Sequence, residues 1–434
     1  MLGIRIWHLK LFKNLLKGRW PYTLPLKVYI TLEDGKPKAL RLSIYEPPRF
    51  IEGILKEKPY HLIPDITARI CGICPVAYQM SGVQAIEDAF GVEVPKEIER
   101  IRRLMYFGEW IQSHALHVFF LHLPDFYGVP SLVEMSKVDK EIVMAGMEIK
   151  RAGSLIIQSL GGRTSHPVSV VAGGFSHLPE DLSHLIEPIG LALEKSLWVM
   201  ERLKGLKFPD FELKDIVFVS LWEEEYPILK GDIYLEGQRI RPSSFKEIFE
   251  EFEVPYSNAK HAKLRDGRVY LVGPLARFNN AFEKLSSLAK EMALKLGLVP
   301  PLKNPYKSLL VRMLEIIHSL ERSLDIVKSY KKPKKSLVEF RPKRSEGFGV
   351  SEAPRGVLWH SYAFDEEGRI LKADIVPPTA QNLPAMELSL WEHIKGLESM
   401  REEDLQDIAE PMIRNFDPCI SCATHFLRVR VVNK

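Results

Sequence analysis

The spacing of apolar residues divides the chain into long helices and a few short hairpins. In the first twenty residues Ile4, Trp7, Leu11 and Leu15 share one helical face, while Lys10, Lys13, Lys17 and Arg19 fall elsewhere. That pattern predicts a basic amphipathic helix packed on the body of the protein or on a partner. Two β-rich runs, 26–32 and 39–45, flank Glu33-Asp34-Gly35-Lys36 and predict a hairpin. Helical periodicity follows from Cys74 to about residue 90, from 95 to 122, and over 138–160, 180–205, 281–297, 304–330 and 384–414. A second hairpin is expected around Asp266-Gly267, between 261–265 and 268–272, and a third joins 356–363 to 369–375 through Asp365-Glu366-Glu367-Gly368. No series of βαβ units and no internal repeat is present. The expected fold class is therefore mainly α with small antiparallel β hairpins (α+β). The chain reads as a basic segment 1–22, one domain over 23–425, and a tail 426–434 in which Phe426 to Val432 alternate with the period of a strand.

Composition narrows the function classes. A chain of 434 residues with 46% hydrophobic and 27% charged residues is globular, and a net charge of +4 is too slight at this length to suggest a nucleic-acid partner. No run approaches the roughly 18 apolar residues of a membrane span, so no transmembrane segment is expected. The first segment scatters basic residues through its apolar part and does not read as a secretory signal.

The cysteines change the picture. There are four, too few for a disulfide scaffold, and they form two Cys-x-x-Cys pairs, Cys71/Cys74 and Cys419/Cys422. Such spacing aims two sulfurs at one point, and thiolates suit zinc, iron or nickel better than magnesium or calcium. The pairs lie near opposite ends of the sequence, so they form one metal site only if the fold brings head and tail together.

At these residues a resemblance becomes plain. The chain resembles the large, catalytic subunit of nickel–iron hydrogenases, most of all the soluble, multi-subunit, pyridine-nucleotide-linked group. The blocks that carry it run in order from Tyr45 to His425: Glu46-Pro47-Pro48-Arg49-Phe50-Ile51-Glu52, Ala68-Arg69-Ile70-Cys71-Gly72-Ile73-Cys74-Pro75, Gln112-Ser113-His114-Ala115-Leu116-His117, Gly161-Gly162-Arg163-Thr164-Ser165-His166-Pro167, Glu352-Ala353-Pro354-Arg355-Gly356, Val376-Pro377-Pro378-Thr379, and Asp417 to His425. The resemblance implies a helical core around a buried bimetal site. Cys71 and Cys419 would be terminal nickel ligands, and Cys74 and Cys422 would bridge nickel to an iron carrying carbon monoxide and cyanide. Dihydrogen would split heterolytically there, with Cys419 taking the proton. Arg355 and Thr379 would donate to the cyanides, with Pro354 in the same pocket, and Glu52 and His425 would lie at a magnesium or iron ion near the C-terminus. His114, His117 and His166 also match family histidines. An iron–sulfur small subunit and flavin- and NAD(P)-binding electron-transfer subunits would be partners in a cytoplasmic complex. This chain has no dinucleotide fingerprint and no spare cysteine for a cluster.

Three departures stand out. The family's Arg-x-Glu-Gly stretch, whose glutamate relays protons, is here Arg19-Trp20-Pro21-Tyr22-Thr23, within a segment 1–32 that holds six basic residues and no acidic one. Tyr78 and Ser113 replace a histidine and an aspartate of other relatives, as in the soluble group. Nine residues follow His425, where family precursors are cut, so the tail is either an uncut propeptide or a retained strand. Rival readings are a paralogue with the same metal pair that reduces sulfur or another acceptor, a metal-free scaffold like those of respiratory complex I, and a structural four-cysteine zinc protein. The four cysteines speak against the scaffold, and Arg355 and Thr379 are unexplained by zinc alone.

Overall fold

Cys74 is followed by Pro75, and helix α1 (Pro75–Phe90) begins there, because proline loses nothing at a first helical position whose N–H has no partner in any case. The computed structural model describes residues 26–33, 36–44, 50–397, 402–418 and 428–433. Helix α1 is buried on almost every side, as its near-continuous small and apolar sequence requires. It is followed by α2 (Lys96–Ala115), which runs on through a π-helical stretch, Leu116–His122. Next come α3 (Lys140–Gly161) and α4 (Ile186–Leu203), then, after a β-rich middle region, α5 (Pro274–Ala281), α6 (Ser287–Lys295) and α7 (Ser308–Lys328). The last two are α8 (Pro378–Ile394) and α9 (Glu402–Arg414). Helices α2 and α7 pack on each other, α2 also on α3, and α7 also on α4. One large apolar core runs through this bundle and includes Cys71 and Cys74.

The strands form small sheets around the bundle. Strands β1 (Leu26–Glu33) and β2 (Lys36–Ile44) are the expected hairpin. The middle region supplies β3 (Val217–Trp222), β4 (Asp232–Leu235) and β5 (Gln238–Ile240), an antiparallel meander, then the pair β6 (Phe249–Phe252) and β7 (His261–Leu264), and β8 (Tyr270–Leu271). Strands β9 (Ser345–Ala353), β10 (Gly356–Phe364) and β11 (Ile370–Val376) form an antiparallel sheet that contains the third expected hairpin. Strand β9 lies directly on α1: a Cβ at Gly349 would sit 2.0 Å from the carbonyl oxygen of Ser81, so only glycine permits that approach.

Several expectations are corrected. Residues 264–268 do make a tight turn, but no hairpin, because β7 pairs with β6 while β8 pairs in parallel with β3. The stretch 384–414 is two helices, and the first starts six residues earlier, at Pro378, with Pro384 accommodated inside it. The stretch 281–297 divides between the end of α5, a single 3-10 turn at Phe282–Lys284, and α6. Two parallel pairings qualify the antiparallel picture: β8 on β3, and β12 (Arg428–Asn433) on β1, with Lys27 opposite Arg428 and Leu32 opposite Asn433. The tail is thus a strand over most of the expected stretch. The N-terminal segment 1–22 and Thr23 lie outside the described residues.

Candidate metal centre

The loop that carries the first cysteine pair is fixed from three directions. The N–H groups of Val76 and Ala77, which open α1 and have no helical partner, donate to Oε2 (2.6 Å) and Oε1 (3.0 Å) of Glu109 on α2. Burial pushes the Glu109 carboxyl well above the ordinary carboxylate range, against the pull of those two amides. Ser165 Oγ donates to the carbonyl of Gly72 at 3.4 Å, and Gln79 Nε2 donates to that of Pro167 at 2.7 Å, tying the 161–167 block to the cysteine motif. The N–H groups of Ile73 and Cys74 point at Cys71 Sγ (3.4 and 3.3 Å), which favours a thiolate at this buried sulfur.

Arg355 reaches the same point from the β9–β10 hairpin. Ala353 pairs with Gly356, so Pro354 and Arg355 form a two-residue turn, and both are buried. The Arg355 guanidinium donates from Nη1 to Cys74 Sγ (3.6 Å), from Nε to the carbonyl of Asp417 (2.6 Å), and from Nη2 to Asp417 Oδ1 (3.2 Å). One side chain thereby spans the first cysteine motif and a residue two positions ahead of Cys419. The approach of the C-terminal segment is held at three carbonyls. His117 Nε2 donates to Arg414 O (2.6 Å), Ser308 Oγ to Asn415 O (2.9 Å), and Arg355 to Asp417 O. A neutral, Nε2-protonated His117 suits that role, and burial lowers its pKa well below the usual histidine value.

The remaining expected residues are distributed as follows. Thr379 sits half-buried in the first turn of α8. On the same helix Asn382 accepts the Val272 N–H at 2.9 Å and donates to the carbonyl of Arg355 at 3.4 Å. Glu52 is half-buried and its Oε1 accepts the Ile375 N–H of β11 at 2.8 Å. His114 Nε2 lies 2.9 Å from Glu315 Oε2, and His166 Nδ1 lies 3.0 Å from Ser165 Oγ. Cys419, Cys422 and His425 lie outside the described residues. The structure therefore brings together Cys71, Cys74, Pro354, Arg355 and the segment leading to Cys419.

Sequence reasoning missed what stands behind Arg355. Arg277 on α5 is wholly buried and uses all five N–H donors: Nε and Nη2 on the two oxygens of Glu315 (2.7 and 2.8 Å), Nη1 on Glu352 Oε2 (2.8 Å), and the other two on the carbonyls of Ala353 and Pro354 (both 3.1 Å). Its guanidinium carbon lies 4.2 Å from the Trp110 ring centroid, and Tyr226 Oη donates to Glu315 Oε1 at 2.9 Å. The available signal was charge inside apolar helical runs: Glu109 between Gly108 and Trp110, and Glu315 between Leu314 and Ile316.

Comparisons with known proteins agree with this geometry. The family model for nickel-dependent hydrogenase matches residues 49–145 and 243–425. The sulfhydrogenase 2 subunit alpha of Pyrococcus furiosus is 34% identical over 406 residues, covering 93% of this chain and 96% of that one. The NAD-reducing hydrogenase HoxS subunit beta of Cupriavidus necator is 28% identical, with 92% of each chain covered. Among solved structures, an NAD+-reducing [NiFe]-hydrogenase in the H2-reduced state superimposes with a TM-score of 0.78 at 24% identity, over 90% of this chain and 94% of that one. No helix among the described residues is long and apolar enough to cross a membrane. This chain belongs to the nickel-dependent hydrogenase family and is the large, catalytic subunit of such an enzyme.

Proposed function

We propose that Cys71, Cys74, Cys419 and Cys422 together hold the nickel–iron pair, the iron carrying carbon monoxide and cyanide. When bound, that pair supplies a Lewis-acidic centre for the heterolytic cleavage of dihydrogen. The chain's own residues do the rest. The sulfur of Cys419 takes the proton, Arg355 and Thr379 donate hydrogen bonds to the anionic diatomic ligands, and the apolar walls, Pro354 among them, keep water out. Glu52 and His425 hold a magnesium or iron ion near the C-terminus. Electrons leave for an iron–sulfur small subunit and then for a flavin- and NAD(P)-binding partner in the cytoplasm. A relative named as NAD-reducing supports that destination, as does the absence of cysteines beyond the two pairs.

The observation that carries this reading is the reach of Arg355 from Cys74 Sγ to Asp417, which ties the two ends of the chain to one point. Soft, buried sulfurs with amide and guanidinium donors aimed at them fit a thiolate-bound metal. The test is metal analysis and hydrogen-dependent NAD(P)+ reduction on the purified complex. One nickel per large subunit is expected, with iron in excess because the partner's clusters add to the iron of this centre, and nickel and hydrogen uptake should both be lost in Cys71→Ser. A complex that holds only zinc would overturn the reading.

A second reading, reduction of sulfur or another acceptor at the same centre, is favoured by the relative named sulfhydrogenase and by the stretch Arg19 to Thr23, which lacks the family's proton-relaying glutamate. A positioned acid–base group contributes about 10²–10⁴-fold. Thr23→Glu is therefore expected to raise hydrogen uptake if proton transfer is limiting. Unchanged uptake would show that another route already suffices.

A further inference from the structure

The turn that presents Arg355 is gripped in an unusual way. Four successive backbone carbonyls, from Glu352 to Arg355, each accept a hydrogen bond from a side chain of another element. Trp110 Nε1 on α2 donates to Glu352 O (2.9 Å), Arg277 on α5 to Ala353 O and Pro354 O (both 3.1 Å), and Asn382 on α8 to Arg355 O (3.4 Å). Two-residue turns elsewhere in proteins leave such carbonyls to water. Here the turn is buried, so each carbonyl needs a protein donor, and Arg277 supplies two of them. Arg277 cannot shift, because its other three N–H bonds end on Glu315 and Glu352, both fully buried. Those carboxylates are anchored in turn. Glu352 Oε1 accepts the Leu221 N–H (2.8 Å), and Glu315 accepts from Tyr226 and lies 2.9 Å from His114. The chain of contacts runs from α7 through Arg277 to the Pro354 carbonyl, one peptide unit from the Cα of Arg355.

We infer that Arg277, at the head of this four-carbonyl clamp, is a positioning residue that sets where the Arg355 guanidinium stands over the metal centre. The inference rests on the reading of Arg355 as a donor to the diatomic ligands of iron. Hydrogen bonds to cyanide change its stretching frequency, so infrared bands report the placement of Arg355 without reference to turnover. A lysine at position 277 has one point charge and cannot span Glu315 and two carbonyls at once.

The experiment compares the infrared cyanide bands, the nickel and iron content and the hydrogen-uptake kinetics of the intact complex for wild type, Arg355→Lys, Arg277→Lys and Trp110→Phe. The last removes the indole N–H together with part of the ring volume, leaves Arg277 and its carboxylates in place and keeps an aromatic ring beneath the guanidinium, so it serves should Arg277→Lys fail to assemble. Arg277→Lys is expected to shift the cyanide bands in the direction seen for Arg355→Lys, with metal content unchanged. Its kcat should fall roughly 10- to 100-fold at nearly constant KM, as small misplacements of a reacting site do. Trp110→Phe should give a smaller shift of the same sign. Wild-type bands in both Arg277→Lys and Trp110→Phe, beside shifted bands in Arg355→Lys, would overturn the positioning role and leave the reading of the site standing. Unshifted bands in Arg355→Lys itself, or no cyanide bands in wild type, would defeat that reading and the positioning role with it.

Discussion

Arg277 and Arg312 are both buried to within about one percent of full enclosure, yet their surroundings are opposites. Arg277 meets two carboxylates and two carbonyls with all five donors, and although burial works against its charge, Glu315 and Glu352 outweigh it and raise the pKa further above the ordinary arginine value. Arg312, on α7, donates from Nη1 to Ser308 Oγ (2.8 Å), and its Nε finds no acceptor among the described residues. Burial lowers its pKa to about 10, with Asp417 and Glu315 offsetting only part of the effect. A buried cation matched by buried anions is a rivet, whereas one matched mainly by a hydroxyl is tolerated charge. The first kind stands behind the Arg355 turn, and the second faces the segment that leads to Cys419.

The largest expected effect breaks the rivet. Arg277→Met keeps most of the volume but leaves Glu315 and Glu352 buried without their cation, and should cost about 3–5 kcal/mol in urea unfolding. A cost below about 1 kcal/mol would erase the contrast between the two arginines.

Acid should act next, on the neighbours of the same cluster. Burial holds His318 down to a pKa of about 3, with Arg322 and Arg103 adding to the effect and Glu315 opposing it. Its folded value lies below the unfolded one, so the unfolded chain takes up the proton first. Stability is then complete above about pH 6.5 and declines as the pH falls toward 3. Between pH 7 and pH 5 this group alone accounts for up to about 2 kcal/mol. His318 Nδ1 accepts the Ser286 N–H at 3.0 Å, a bond that an asparagine oxygen can replace. His318→Asn should therefore flatten the pH dependence in that window, and an unchanged slope would show that His318 does not govern it.

A comparable effect is expected at Gly273, which has φ of 107° and would place a Cβ 2.6 Å from the carbonyl oxygen of Arg355. Gly273→Ala should destabilise by about 1–3 kcal/mol and displace the same turn that Arg277 grips. Its signature is a lower kcat in a complex that still holds its metals. The smallest change is predicted for Arg312→Met, within about 1 kcal/mol in either direction, because a poorly compensated buried charge gives little when replaced by an apolar chain. A loss as large as that of Arg277→Met would mean that Arg312 is paired far better than its contacts indicate.

Much of this was legible beforehand. The helices at 75–90, 140–161 and 308–328 follow their apolar periodicity to within a few residues, and two hairpins sit on their turn signals. The Asp266-Gly267 turn misled because a turn motif fixes a local reversal but not the partners of the strands beside it, and β8 found β3 some fifty residues away. Pro384 delayed the expected start of α8, since proline normally ends a helix, while Pro378 in fact begins it. Strands β3 to β5 and β9 escaped although β4 meets β5 and β9 meets β10 across two-residue turns, because Glu236-Gly237 and Pro354-Arg355 are not the Asp-Gly or Asn-Gly signals that mark a hairpin. At the site, the cysteine spacing and the Ala353-Pro354-Arg355 block singled out the residues that converge. Asp417 appeared only as part of a motif, Glu109 and Glu315 showed only as charge inside apolar helical runs, and Arg277 and Asn382 were silent, because their roles depend on carbonyls and amides that no sequence pattern displays.

Two distant cysteine pairs are proposed to share one nickel. X-ray absorption at the nickel edge of the purified complex tests that most directly, in wild type and in Cys71→Ser and Cys419→Ser. The prediction is nickel surrounded mainly by sulfur in wild type, with nickel lost or its sulfur count lowered when either end of the chain is altered. Nickel that keeps its sulfur environment in Cys419→Ser would contradict a centre built from both ends.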